Sequence, residues 1–340
     1  MAVATAIKVI DSDAHVQEWP ETWSDRYLDP AFAARRPVVV GNGERAYWLI
    51  DDKLWPSMVG PGCHILGTPT QHASGEARIT KIKPESIESQ ELRGVDARLG
   101  DMDREGLDVQ VLYSSIFLAY PLTADVPFYQ ALVRAYNSWI AGATSGAPDR
   151  LKWVGVTNLA DVDFAVDELR RTKQMGAVGV HVLGTHDVFQ LSDRRFEPFF
   201  AEAERLDMPV AVHVGWSCPP LNQLFDTIWS SIVARDLPVQ MALYNMIGSG
   251  FFDRHPRLKV GFLEVGATWL PYWYERMDEY SRFSRNKIPL GYTAERWPID
   301  YLRSGQIFIT CETEEKLLPQ VVELASEDCV MYTSDMPHSD

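Results

Sequence analysis

From residue 108 onward the chain alternates short apolar runs rich in Val, Ile and Leu with longer stretches of helical periodicity. That alternation is the sequence form of repeated βα units around a parallel sheet. The pattern predicts strands at Lys8–Asp11, Asp108–Tyr113, Lys152–Thr157, Ala177–Val182, Pro209–Val214, Leu258–Glu264, Gln306–Thr310 and Cys329–Thr333. It predicts helices at Glu88–Glu105, Phe128–Thr144, Val162–Met175, Phe196–Leu206, Leu221–Arg235, Trp269–Tyr280 and Glu314–Leu324. Eight strands with helices between them point to a closed (β/α)₈ barrel, a TIM barrel of the α/β class, rather than an open doubly wound sheet.

Residues 19–87 break this rhythm with Trp19, Trp23, Trp48 and Trp55, many prolines and glycines, and an alternating hairpin-like run from Arg45 to Ile50. Because the segment leaves the end of strand 1, it is expected to lie over the barrel mouth as a lid, an insertion within a single domain spanning 1–340. The sequence ends at Asp340, directly after strand 8, so the final helix of the outer ring is expected to be missing from it.

Composition narrows the function classes. With 340 residues, 46% hydrophobic, the chain has enough apolar material for one large core. Lys and Arg number 32 against 47 Asp and Glu, a net charge of −15 scattered along the chain. That argues against a nucleic-acid partner, which needs clustered cations. No apolar run approaches the roughly 18–20 residues that span a bilayer, and the N-terminus has no signal-peptide pattern, so the expected location is cytoplasmic, away from membranes. Cys63, Cys218, Cys311 and Cys329 are far apart and form no metal or redox motif, and are read as reduced, buried thiols.

The candidate chemistry sits at strand ends. Alternation along strand 1 is expected to send Asp11, Asp13 and His15 to one face. His213 interrupts the apolar run of strand 5, and Asp335 follows strand 8 in Ser334-Asp335-Met336-Pro337-His338. Asp13, His15, His213 and Asp335 together offer two oxygen and two nitrogen donors, a mixed set that suits one divalent ion, zinc or manganese. Read singly, each has a plainer explanation: a solvated strand end, a core imidazole bonded to backbone, a helix cap.

The stretches Ile10–His15 with Glu18 and Trp23, Arg98–Asp108, Tyr136–Trp139, Pro209–His213, Asp253–Lys259 and Ser334–His338 resemble the amidohydrolase superfamily. The resemblance is to the branch containing aminocarboxymuconate-semialdehyde decarboxylase and γ-resorcylate decarboxylase, and covers nearly the whole chain. It implies that Asp13 and His15 fill the strand 1 ligand pair, that His213 is the strand 5 ligand, and that Asp335 binds metal and moves a proton. It also implies a His on strand 6 as acid/base, where this chain has Glu264. Asp335 and Glu264 are therefore the catalytic candidates, with Glu264 also readable as a carboxylate tied to an Arg. His181, His338, Trp216 and Trp269 are candidates for contacting a small-molecule substrate, as is His186; packing or solvent exposure accounts for them equally well.

The leading expectation is non-oxidative decarboxylation of a small aromatic or unsaturated carboxylic acid. Metal-dependent hydrolysis of an amide, ester or lactone is the alternative, and a degenerate binding barrel is the third. The resemblance further implies a homodimer.

Overall fold

The structure is a computed structural model that describes residues 7–41, 46–65, 67–69, 85–119 and 121–338. Eight parallel strands form one sheet in chain order: β1 Ile10–Val16, β2 Val109–Ser114, β3 Leu151–Val156, β4 Gly179–Leu183, β5 Val210–His213, β6 Val260–Leu263, β7 Ile307–Cys311 and β8 Val330–Tyr332. The sheet curls until its two edges meet. Past β8, the Thr333 hydroxyl and the Asp335 amide donate to the Asp13 carbonyl (2.7 and 3.0 Å), and the His15 amide donates to the Met336 carbonyl (2.6 Å). The TIM-barrel expectation is met.

The outer ring comprises α1 Val95–Glu105, α2 Val126–Thr144, α3 Val162–Gln174, α4 Glu197–Arg205, α5 Ile228–Gly248, α6 Leu270–Ser284 and α7 Leu318–Leu324. Side-chain caps set where several begin: Asp125 accepts from the Phe128 amide at α2, and Asp161 from the Phe164 amide at α3. The main core lies between strands and helices, while a small plug of Val111, Tyr113, Val154, Ala211 and Leu263 fills the barrel itself. Among the described residues no helix follows β8, and Ile10 and Tyr332 on the edge strands stay exposed.

Three expectations need correction. The helix foreseen at Leu221–Arg235 is instead a short turn at Pro219–Asn222 followed by α5, which starts after the Thr227 cap and runs through Pro238. Pro238 packs so tightly on Gly184 that a Cβ at position 184 would lie 2.3 Å from the proline carbonyl carbon. The helix foreseen at Glu88–Glu105 is broken: Ile87–Gln90 is one turn, Leu92 takes φ +47°, and Gly94 caps α1. The hairpin-like arm is a three-stranded antiparallel sheet of Val38–Gly41, Ala46–Ile50 and Lys53–Trp55, with Arg45 outside the described residues.

Candidate metal centre

Strand β1 departs from simple alternation where it matters most. Its register against β2 pairs Asp11 with Gln110 but Ala14 with Leu112, so an extra residue bulges at Ser12–Asp13. Asp11 therefore turns away from Asp13 and His15, contrary to the expectation that all three share a face. It accepts hydrogen bonds from Gln110 Nε2 (2.9 Å) and the Ser334 hydroxyl (2.6 Å) on the outer side. Asp13 and His15 point into the barrel mouth, both fully buried.

There they meet His213 from the end of β5 and Glu264 just past β6. His213 Nε2 lies 3.2 Å from His15 Nε2 and 3.3 Å from Asp13 Oδ1. His15 Nε2 lies 3.5 Å from Asp13 Oδ1, and Glu264 Oε2 lies 3.5 Å from both imidazole nitrogens. Donors bonded at about 2.0–2.2 Å in a tetrahedral site are separated by about 3.3–3.6 Å, so these spacings fit one divalent ion. The imidazoles are also oriented for it: His15 Nδ1 faces the Ser114 carbonyl (3.2 Å) and His213 Nδ1 faces the Val214 carbonyl (3.3 Å), leaving each Nε2 to point inward. Asp13 Oδ2 is buried without a hydrogen-bond partner among the described residues, as is Glu264 Oε2.

Asp335 belongs to an overlapping group with His15, Glu264 and His338. Its Oδ1 lies 3.5 Å from His15 Nε2 and 2.9 Å from His338 Nδ1, while His338 Nε2 reaches the Ser115 hydroxyl at 2.8 Å. Thus the tightest quartet contains Glu264, with Asp335 beside it on the open side. Both carboxylates are held in the left-handed region, φ +58° at Glu264 and +50° at Asp335, conformations a non-glycine residue adopts only under constraint from its surroundings.

The electrostatics follow from the packing. Burial alone would raise the Asp13 carboxyl, but the charges and hydrogen bonds of His213 and His15 outweigh it and hold it far below the usual range. Burial disfavours the charged His15 imidazole, yet the adjacent Asp13 and Glu264 carboxylates raise its affinity for a proton well above normal. Glu264 is lowered on balance: burial pushes up, and His15, His213 and Arg235 pull down. Arg235, on α5, puts Nη1 3.3 Å from Glu264 Oε1, the oxygen turned away from the imidazoles. A cavity of about 190 Å³ opens beside this group, with Glu264, Asp335, Thr310, Thr333 and Glu312 in its wall.

The other candidates separate. His181 lies in the barrel, 4% exposed, its ring centroid 5.3 Å from that of His213. Trp216 is buried and stacked on His64 at 4.3 Å. Trp269 is turned outward, packed on the main core with Nε1 bonded to the Gly266 carbonyl. His186 sits farther up, edge-on to Phe196. Sequence reasoning missed Arg235, whose helix was mis-placed, and gave Glu18 and Tyr113 no role. Tyr113 floors the site, its ring 5.3 Å from His213. Glu18 accepts from the Ser114 hydroxyl (2.5 Å) and the Ile116 amide (3.1 Å), fixing the turn whose carbonyl holds His15. A lone Glu after an Asp-x-His pair was the only available signal.

A family model described as amidohydrolase matches residues 12–340. A gamma-resorcylate decarboxylase from Rhodococcus jostii (strain RHA1) is 28% identical over 268 residues, 71% of this chain and 77% of that one. An amidohydrolase structure from Mycobacterium avium subsp. paratuberculosis K-10 superposes with a TM-score of 0.72 at 22% identity, over 98% of this chain and 91% of that one. The 5-carboxyvanillate decarboxylase of Novosphingobium aromaticivorans DSM 12444, solved with manganese and 4-hydroxy-3-methoxy-5-nitrobenzoic acid, gives 0.67 at 20% identity, covering 98% and 87%. At these identities the two structures establish the fold alone. No helix among the described residues is long and apolar enough to cross a membrane.

Proposed function

The chain belongs to the amidohydrolase family, and from that membership and the buried donor quartet we propose that it is a metal-dependent non-oxidative decarboxylase of a small aromatic carboxylic acid. The observation that carries the reading is the quartet itself: Asp13, His15, His213 and Glu264 at mutual spacings that fit one divalent ion. The decarboxylase relatives, one solved with manganese and an aromatic acid, supply the substrate class.

Asp13, His15, His213 and Glu264 would hold the ion, with Asp335 beside them where it could face a substrate. A divalent ion bound there would supply Lewis-acid chemistry for an acidic substrate. Charge explains why a cation would be needed: the Asp13 and Glu264 carboxylates would repel an acid, and a divalent cation would offset both. Glu264, which would be a ligand to the ion and whose other oxygen is bonded to Arg235, is a poor proton donor, which leaves proton delivery to Asp335. The Asp335 carboxyl gives its proton to the ring carbon bearing the carboxylate. The carbon–carbon bond then breaks, carbon dioxide leaves, and the ring recovers its electron pair. His338, bonded to both Asp335 and Ser115, steers that carboxyl and can restore its proton.

The test is elemental analysis of purified wild type and His213→Ala, followed by carbon dioxide release from γ-resorcylate and related acids. About one manganese or zinc per chain, lost in the variant, with acid-dependent gas release, is the expected result. Cleavage of an ester or lactone panel without gas release would move the assignment to hydrolysis.

A further inference from the structure

The barrel contains a second polar feature that the metal quartet does not use. His181 on β4 is 4% exposed, and neither of its ring nitrogens has a hydrogen-bond partner among the described residues. The Thr157 hydroxyl, just past β3, is buried in the same condition. Both line one cavity of about 30 Å³, whose wall also includes the apolar Phe117, Leu159 and Val182 and the polar Tyr129, Thr185 and His186. Buried polar atoms left unpaired are costly, so two residues that carry them and line one cavity signal an occupant that satisfies both.

The size and lining define that occupant. A water or a single hydroxyl needs roughly 10–15 Å³ of such space or more, so about 30 Å³ takes one such group and excludes a ring. No lining residue among those described is a lysine, arginine, aspartate or glutamate, and burial lowers His186 to about 4, so it is neutral near pH 7 and a charged group would lack a counter-charge. A neutral imidazole presents one donor and one acceptor, and a threonine hydroxyl presents both, which complements an O–H group. The His181 ring stands 5.3 Å from that of His213, which places it beside the metal quartet.

We propose that His181 and Thr157 form an oxygen site that holds an ordered water in the resting protein and takes an uncharged ring hydroxyl of the substrate. The substrate half of this statement rests on the decarboxylase reading; the site itself does not.

Two measurements test it separately. A high-resolution crystal structure of the metal-loaded protein without substrate should show a water bonded to both His181 and Thr157, absent in Thr157→Val; a dry cavity in the wild type overturns the site. Calorimetric titration of the manganese-loaded protein then compares benzoate with hydroxybenzoates carrying the hydroxyl at each ring position. One isomer should bind about tenfold tighter than benzoate, an advantage His181→Phe removes while its metal content and benzoate affinity are unchanged. An advantage that survives in His181→Phe overturns the substrate role. If none of the acids binds while the water is present, the oxygen site stands and the decarboxylase reading falls.

Discussion

At the scale of single residues, the site is built from groups whose environment contradicts their ordinary chemistry, and Glu18 shows it best. It is buried, and desolvation raises its carboxyl to about 7 despite hydrogen bonds from the Ser114 hydroxyl and the Ile116 amide. A raised acid keeps its proton in the folded chain where the unfolded chain has lost it, so its contribution to stability is full below 4.5, declines as pH rises to about 7, and is flat above. The difference between 4.5 and 7 corresponds to about 3 kcal/mol. Urea unfolding of wild type and Glu18→Gln between pH 5 and 8 should therefore diverge, the wild type losing roughly that much more than the variant. Parallel profiles would mean the carboxyl titrates normally. Glu18→Gln should also weaken metal binding about tenfold, because glutamine has one acceptor oxygen where Glu18 uses two, so the Ser114 hydroxyl and the Ile116 amide can no longer each donate to its own oxygen and the Ser114 carbonyl behind His15 loosens. Asp13, His15, His213 and Asp335 were legible in the sequence because ionisable residues at the ends of apolar strands are conspicuous. Glu18, Tyr113 and Arg235 were not, since their roles depend on contacts between distant parts of the chain.

At the scale of elements, the eight strands were legible because two-sided burial writes each as an apolar run between helical stretches. What pattern alone could not supply is local irregularity. The β1 bulge separates Asp11 from Asp13, and nothing in Ile10–His15 announces an extra residue, because the bulge is defined by pairing with β2. The left-handed turn at Glu264 is equally silent: it is imposed by the Thr310 hydroxyl accepting the Glu264 amide and by Glu315 gathering the amides of Ala267 and Thr268. Gly215 offers a direct test of how such loops aim the ligands. A Cβ there would lie 2.4 Å from the Leu118 carbonyl oxygen, which also accepts the Trp216 amide. Gly215→Ala must push the loop after β5 away from the loop after β2. The expected cost is about 1–3 kcal/mol in chemical denaturation, together with weaker metal binding, since His213 sits two residues before the glycine. Destabilisation without loss of metal affinity would show that β5, not its loop, sets the His213 geometry.

At the scale of the whole molecule, the donor quartet and Asp335 straddle the seam where the barrel closes. Asp13 and His15 come from β1, and Asp335 follows β8; there the edges are joined by the backbone bonds of His15 and Asp335 and by the Thr333 hydroxyl rather than by a regular ladder. An ion held by β1, β5 and β6 beside Asp335 would therefore brace the barrel across its mouth as well as serve chemistry. The arm at Val38–Trp55 is fixed independently of it, with Trp48 fully buried edge-on to Trp23, so Trp48→Ala should cost about 3–5 kcal/mol with or without metal. Metal at 100 to 1,000 times its dissociation constant should add about 3–4 kcal/mol, roughly 5 °C in melting temperature for a chain of this size. The location of that gain is the sharper prediction. Hydrogen exchange after chelation should accelerate at the His15 and Asp335 amides, which bond across the seam, while amides pairing β3 with β4 on the far side keep their protection. His213→Ala should reproduce the chelated pattern and show no further response to chelator. Exchange that rises evenly around the barrel would mean that the ion stabilises the fold globally and that the seam holds without it.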